Sequence, residues 1–129
     1  MNDRPPRGVP SGLEQRAAQE LLAEERASAM ARIEALQRHL ESIGDVSTWT
    51  GTDDEHDPEG ATIAYERAQL QGMLVDARRD LNALERAAAR LDEGTYGVCE
   101  RCGKPIARER LEALPATTTC IACASAARR

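Results

Sequence analysis

Large apolar side chains are scarce in this sequence. Aromatic residues make up 2% of its 129 residues: there is no phenylalanine, one tryptophan (Trp49) and two tyrosines (Tyr65 and Tyr96). Aromatic side chains supply much of the buried area in compact cores, whereas alanine and leucine are the common apolar residues here. This composition excludes a globule built around an aromatic core and is typical of a long, thin helical protein.

The sequence also lacks long apolar runs. Its first residues, MNDRPPRGVPSG, contain no apolar region of the kind that marks a secretory signal. No later stretch approaches the length needed to cross a bilayer. We therefore expect a cytoplasmic protein without a membrane span. Disulfides rarely persist in that compartment, so the four cysteines require another explanation.

Basic residues are fewer than acidic residues in this sequence. The 17 lysines and arginines are outnumbered by 22 aspartates and glutamates, which gives a formal net charge of −5 at pH 7. A protein whose main partner is duplex DNA usually presents a basic surface to the phosphates. The charge balance therefore disfavours direct DNA binding by the chain as a whole.

Two long stretches show helical periodicity. In the first, Ser11 and Glu14 form a capping box that starts a helix at Gly12 or Leu13, and Gly44 predicts its end as a C-terminal cap residue. Its apolar stripe is formed by Leu22, Ala29, Ile33, Leu36, Leu40 and Ile43.

The second stretch has an equally clear start. Asp57 is suited to cap a helix, Pro58 to occupy its first position and Glu59 to complement its dipole. We expect this helix to stop at Gly94. Its stripe is formed by Ile63, Leu70, Leu74, Ala77, Leu81, Leu84, Ala88 and Leu91.

Two helices of similar length, each with one apolar stripe, bury those stripes most simply against each other. We therefore predict a mainly α fold with a long antiparallel two-helix coiled-coil hairpin over 11–94. A disordered tail over 1–10 precedes it. A C-terminal four-cysteine zinc finger with a short terminal helix follows over 95–129.

The four cysteines are arranged as two close pairs. CERC, from Cys99 to Cys102, and CIAC, from Cys120 to Cys123, form the pattern C-x2-C-x17-C-x2-C. Two such pairs bring four thiolates to one tetrahedral centre, the geometry that Zn²⁺ takes in closed structural sites. With every position taken by sulfur, none is open for water or substrate. We predict one structural zinc ion.

Acidic residues cluster between the two predicted helices. GTDDEHDPEGAT, residues 51–62, holds five carboxylates from Asp53 to Glu59. The predicted reversal, 44–57, is longer than antiparallel helices require, and long loops are usually functional or disordered. Such acids gain most from a cationic partner surface. Alternatively they are solvated, and those beside Pro58 stabilise a helix N-terminus.

The segment YGVCERCGKPIARERLEALPATTTCIAC resembles the zinc finger of the DksA/TraR family. The shared features are an aromatic residue and glycine before the first cysteine, a glycine directly after the second cysteine, R-L-E-A-x-P and a final C-x-x-C. In this chain they are Tyr96, Gly97, Cys99, Cys102, Gly103, Arg110, Leu111, Glu112, Ala113, Pro115, Cys120 and Cys123. The acidic hairpin that precedes them also fits that family's architecture.

The resemblance implies a bacterial transcription regulator that binds RNA polymerase. Members of the family insert a coiled-coil hairpin into the secondary channel of the polymerase. Acidic residues and an alanine at the tip, in a D-x-x-D-x-A pattern, then act on promoter complexes near the catalytic centre. For this chain the resemblance implies a partner-binding tip that contains Asp54, Asp57, Glu59 and Ala61.

The two possible alignments of the tip differ. Asp54 and Asp57 have the D-x-x-D spacing, with Glu59 at the alanine position. Alignment without gaps from Cys99 instead places His56 and Glu59 at the two acid positions and Ala61 at the alanine position.

The family also amplifies the effect of the alarmone ppGpp by means of basic residues. Carried over without gaps, several of those positions are occupied here by Asp76, Ala83, Leu114 and Ala124, whereas Arg110 matches a basic position. The sequence therefore favours little dependence on ppGpp.

We expect a regulator that is a monomer. We do not expect an enzyme, because the sequence shows no nucleophile–base spacing and no phosphate-binding loop. Two alternatives stay open. The segment from Val98 to Arg129 has six lysines and arginines against three acids, which suits a nucleic-acid-binding zinc module. The hairpin could also be a structural element that self-associates through its apolar seams.

Overall fold

The computed structural model describes residues 12–50 and 58–127, with side chains described from Glu14 to Gly44 in the first range. These residues form four helices: α1 (Gly12–Thr50), α2 (Pro58–Glu93), α3 (Arg108–Ala113) and α4 (Ile121–Ala127). An isolated antiparallel bridge joins Val98 and Pro105. The predicted mainly α fold, with two long helices and a short terminal helix, is confirmed. No helix in the described ranges is long and apolar enough to span a membrane.

The bounds of α2 follow from local chemistry. The helix begins at Pro58 and ends at Glu93, as the sequence predicts. Gly94 follows with φ of 83°. Its N–H donates to the Leu91 carbonyl at 3.2 Å, and the Thr95 N–H donates to the Arg90 carbonyl at 2.9 Å. These two bonds and the left-handed glycine make a Schellman cap, which satisfies carbonyls that the helix end would leave unpaired.

The predicted end of the first helix before Gly44 is wrong, because α1 continues to Thr50. A glycine ends a helix when it adopts the left-handed conformation, and Gly44 does not. The described glycines with positive φ are Gly94, Gly97 and Gly103. In a helix interior, glycine costs only about 1 kcal/mol relative to alanine, which burial of the neighbouring Ile43 offsets.

The predicted reversal at 44–57 is therefore helical as far as Thr50. Its remaining residues, 51–57, lie outside the described residues, as does the predicted tail at 1–10.

The chain divides into two compact units: unit 1 contains Met1–Ala27 and Asp80–Arg129, and unit 2 contains Ser28–Arg79. In unit 2 the two long helices pack together through apolar side chains that all belong to the predicted stripes. They are the buried Leu36, Ile43, Leu70, Leu74 and Ala77, with the partly buried Ile33, Leu40 and Ile63 packed against them. At the exposed edge of this contact, His39 Nε2 lies 3.4 Å from Glu66 Oε1.

Unit 1 contains the end of α2 and all four cysteines. Its buried apolar side chains come from both long helices and from the segment after α2: Leu22, Leu84, Ala87, Leu91, Tyr96, Cys99 and Ile106. Tyr96 is the one aromatic side chain in this set, and its hydroxyl donates to the Pro115 carbonyl at 2.9 Å. The bond satisfies a polar group that burial would otherwise make costly.

Candidate metal centre

The first cysteine pair lies in a tight loop directly after α2. The Val98–Pro105 bridge joins the two sides of this loop. Within it, the Cys99 N–H donates to the Lys104 carbonyl and the Gly103 N–H donates to the Cys99 carbonyl, both at 2.9 Å. Gly103 has φ of 75°, a conformation that side chains disfavour. This turn brings Cys99 and Cys102 to the same side of the loop.

The second pair lies at the start of α4. The Ala124 N–H donates to the Cys120 carbonyl at 2.9 Å, which makes the first turn of the helix. The Cys123 N–H lies 3.5 Å from Cys120 Sγ. The segment before this pair is tied to the first loop, because the Glu100 N–H donates to the Thr118 carbonyl at 2.9 Å.

These loops bring all four sulfur atoms within 4.8 Å of one another. Cys102 Sγ and Cys120 Sγ are 3.7 Å apart. A zinc–sulfur bond of about 2.3 Å in a tetrahedral site places neighbouring sulfurs about 3.8 Å apart, so the observed separation fits a shared ion. A disulfide would need about 2.05 Å, and all four cysteines are free thiols.

The thiols differ in acidity although they lie close together. Backbone N–H groups, of Cys102 first and Cys120 second, lower the pKa of the Cys99 thiol to about 6. The backbone N–H of Cys123 lowers the pKa of Cys120. In contrast, hydrogen bonding to the Cys120 sulfur and burial raise the pKa of Cys123 to about 12.

Backbone N–H groups thus favour the thiolate form at Cys99 and Cys120, whereas the hydrogen bond with the Cys120 sulfur and burial favour the protonated form of Cys123. Because zinc binds the thiolate, a bound Zn²⁺ would displace that last proton and release it to solvent. The donor set therefore fits zinc.

The residues of the predicted tip are placed only in part. Asp54 and Asp57 lie outside the described residues. Glu59 and Ala61 are exposed on the first turns of α2. Because they are two residues apart on a helix, their side chains lie about 160° apart around the helix axis. They therefore do not form one continuous patch.

Arg90 is a residue of this site that the sequence analysis did not single out. Its Nη2 donates to the Val98 carbonyl at 2.7 Å and to the Thr95 carbonyl at 3.3 Å. Arg110, which the motif did contain, donates from Nε to the Thr119 carbonyl at 2.9 Å. Arginine near a helix end is common, so the sequence carries no signal that marks the contact between Arg90 and Val98.

Residues 94–129 match the family described as "Prokaryotic dksA/traR C4-type zinc finger". Together with the clustered sulfurs, this match makes the segment similar to a DksA/TraR zinc finger. The predicted resemblance and the predicted zinc cofactor are thereby confirmed.

Curated relatives extend the similarity beyond the DksA/TraR finger. The chain is 39% identical over 79 residues to YteA of Bacillus subtilis strain 168, a match that covers 61% of this chain and 31% of YteA. It is 36% identical over 75 residues to general stress protein 16O of the same organism, covering 58% and 44%.

A third relative carries the name of the family. The RNA polymerase-binding transcription factor DksA of Caulobacter vibrioides (strain NA1000 / CB15N) is 42% identical over 41 residues, covering 32% of this chain and 29% of that protein. The matched region thus spans less than half the length of each of these curated relatives.

The fold of most of the chain is similar to that of a DksA protein. The solved structure of transcription factor DksA2 from Pseudomonas aeruginosa superposes with a TM-score of 0.77 and covers 92% of this chain and 85% of that one. Sequence identity is 24%, so the likeness concerns the fold.

Proposed function

We propose that this protein is a transcription regulator that binds RNA polymerase. One observation carries the proposal: a DksA/TraR zinc finger follows a pair of long helices in a chain whose fold is that of DksA2. A relative that is 42% identical to this chain over 41 residues bears the name RNA polymerase-binding transcription factor DksA. In this role the protein is a regulatory factor and not an enzyme.

The proposed mechanism is insertion of the two helices into the secondary channel of the polymerase. The carboxylates of Asp54, Asp57 and Glu59 then approach a cationic, Mg²⁺-containing centre, and Ala61 enters the channel on the same end of α2. Negative charges steer the approach to such a site and pair there with cations. These interactions weaken as salt screens them. The result is a change in the stability of promoter complexes.

The zinc finger supports this action without performing chemistry. The four sulfurs fill the coordination sphere of Zn²⁺, so the ion is structural. Its binding orders the segment that follows α2. We further propose that the protein acts as a monomer, does not bind DNA directly and depends little on ppGpp.

In vitro transcription with purified polymerase tests the role of the tip. A variant with Asp54→Asn, Asp57→Asn and Glu59→Gln is compared with wild type, with and without ppGpp. We expect it to bind polymerase but to lose its effect on promoter complexes, because only the charge at the tip is removed. The matched control is Glu20→Gln, Glu24→Gln and Glu25→Gln, which removes the same charge from exposed residues of α1.

Two results would count against the proposal. If the purified protein does not bind polymerase or compete with other secondary-channel factors, the function is wrong. If the control variant loses activity as much as the tip variant, general charge and not the tip is responsible. Binding to DNA that weakens steeply with added salt would instead favour a nucleic-acid-binding zinc module.

A further inference from the structure

Each cysteine pair is preceded by a backbone carbonyl that accepts a hydrogen bond from an arginine. Arg90, in the last turn of α2, donates to the carbonyl of Val98, immediately before Cys99, at 2.7 Å. Arg110, in α3, donates to the carbonyl of Thr119, immediately before Cys120, at 2.9 Å. The two arginines come from different helices, yet they hold equivalent positions of the two pairs.

Each arginine makes a second contact that fixes its direction. Arg90 Nη2 also lies 3.3 Å from the Thr95 carbonyl. Arg110 Nη2 lies 3.4 Å from Thr117 Oγ1, which itself donates to the Thr119 carbonyl at 3.2 Å. Both arginines are half-buried. A guanidinium presents several N–H groups in a rigid plane, so it can hold two acceptors at once and is suited to fixing backbone.

The carbonyl before a cysteine matters because it shares a rigid peptide plane with the cysteine N–H. In the first pair this plane is held at both ends: Arg90 binds the Val98 carbonyl, and the Cys99 N–H donates to the Lys104 carbonyl at 2.9 Å. Fixing the plane restricts the backbone from which the sulfur projects. In the second pair Arg110 and the Thr117 hydroxyl together hold the Thr119 carbonyl.

We propose that Arg90 and Arg110 are positioning residues of the zinc centre. They hold the two cysteine pairs in the geometry that zinc requires. Hydrogen-bonding partners beyond the metal ligands commonly set metal affinity by this kind of orientation. The contacts with Thr119 and Thr117 hold the Arg110 guanidinium within the finger itself.

The test measures zinc release from the purified, zinc-loaded chain to a chromophoric chelator, without polymerase. We expect Arg90→Ala and Arg110→Ala to release zinc about ten-fold faster or more, the range typical of outer partners of metal ligands. The matched controls are Arg86→Ala, an exposed position one turn earlier in α2, and Arg108→Ala, exposed in α3 and paired with Glu112 at 3.1 Å. Both controls remove the same charge and should stay within about two-fold of wild type.

General loss of stability could also accelerate release, so a second comparison is needed. Tyr96→Phe removes the buried hydrogen bond to Pro115 but leaves both carbonyl contacts in place. We expect it to lower the thermal midpoint while release well below that midpoint stays near the wild-type rate. Cobalt-substituted Arg90→Ala and Arg110→Ala should show altered d–d absorption, which a purely global effect would not produce.

Arg90→Lys and Arg110→Lys keep the charge and serve if an alanine variant does not fold. One ammonium cannot reproduce the planar two-acceptor contact, so release intermediate between wild type and alanine is expected. The proposal is overturned if the four arginine-to-alanine variants release zinc at equal rates. It is also overturned if Tyr96→Phe releases zinc as fast as the variants at Arg90 and Arg110. None of these outcomes depends on whether the chain binds polymerase.

Discussion

At the scale of single residues, the cysteine spacing carried most of the information about the site. C-x2-C-x17-C-x2-C predicted that four sulfurs meet, because a C-x-x-C turn places both of its sulfurs on one side. The roles of Arg90 and Arg110 could not be predicted in the same way. Which carbonyl a long side chain reaches depends on tertiary geometry, and exposed arginines such as Arg86 and Arg108 look the same in the sequence.

Tyr96 provides a prediction at high pH. Burial raises the pKa of its hydroxyl above 10.0, and nearby Arg90 only partly opposes the shift. The neutral form is thus favoured in the folded protein, so its contribution to stability is complete below pH 10 and is lost as pH rises through the folded pKa. We expect thermal midpoints of the zinc-loaded wild type to fall above about pH 10.

The matched measurement uses Tyr96→Phe and Tyr65→Phe. Tyr96→Phe should fall less steeply above about pH 10 than wild type, because it has no ionisable hydroxyl there. Tyr65 is 71% exposed, and its replacement should leave the alkaline slope unchanged. Equal slopes for all three proteins would show that Tyr96 is not the group responsible.

At the scale of helices, the sequence predicted both ends of α2 correctly but not the end of α1. Pro58 and Gly94 predicted both ends of α2, since proline suits the first helical position and a left-handed glycine closes the last turn. Gly44 looked like the same kind of terminator, yet α1 runs past it to Thr50. Residue type does not reveal φ, so the two glycines could not be distinguished.

The apolar stripe of α2 was predicted with one local error. The sequence placed Ala88 in the seam, but Ala87 is the buried residue, with 2% of its surface exposed. Ala87 and Ala88 follow Leu84 by three and four residues, and both spacings place a side chain on the same face of a helix. The sequence pattern alone does not select between them.

Gly94 and Gly72 form a matched pair for a prediction about α2. An added Cβ would meet no atom within 4 Å at either position, but Gly94 has φ of 83° whereas Gly72 lies inside the helix. Gly94→Ala should therefore destabilise the protein by about 1 kcal/mol, because alanine disfavours left-handed backbone. Gly72→Ala should stabilise it by about 0.5–1 kcal/mol through higher helix propensity.

Urea unfolding monitored by circular dichroism measures both changes, with each variant zinc-loaded. Opposite signs are the decisive result. If both substitutions change the free energy of unfolding in the same direction, the backbone conformation of Gly94 does not control the end of α2.

At the scale of the whole molecule, the two units differ in what stabilises them. Unit 2 has an apolar cluster from both long helices, including Leu36, Leu70 and Leu74. Unit 1 contains the zinc finger, whose short helices α3 and α4 have no buried residues of their own. Zinc binding can contribute on the order of 10 kcal/mol to folding. We therefore infer that the finger depends on the metal and unit 2 does not.

Removing zinc with a chelator under reducing conditions tests this difference. Hydrogen exchange should show that amides bonded around the metal site, such as those of Cys99, Gly103 and Ile106, lose protection. Amides of α1 and α2 within Ser28–Arg79 should keep most of theirs. Restoring zinc should restore protection in the finger. Uniform loss of protection along the chain would show instead that the units unfold together.

Arg90 contacts the segment after α2 through both its backbone carbonyl and its side chain. Its carbonyl accepts the Thr95 and Tyr96 N–H groups at 2.9 and 3.2 Å, while its guanidinium reaches Val98. One residue inserted or removed between this arginine and Cys99 would break that double attachment. Length differences among related chains should consequently concentrate upstream of Arg90, and any foreign helix grafted onto the finger must keep the native segment from that residue onward.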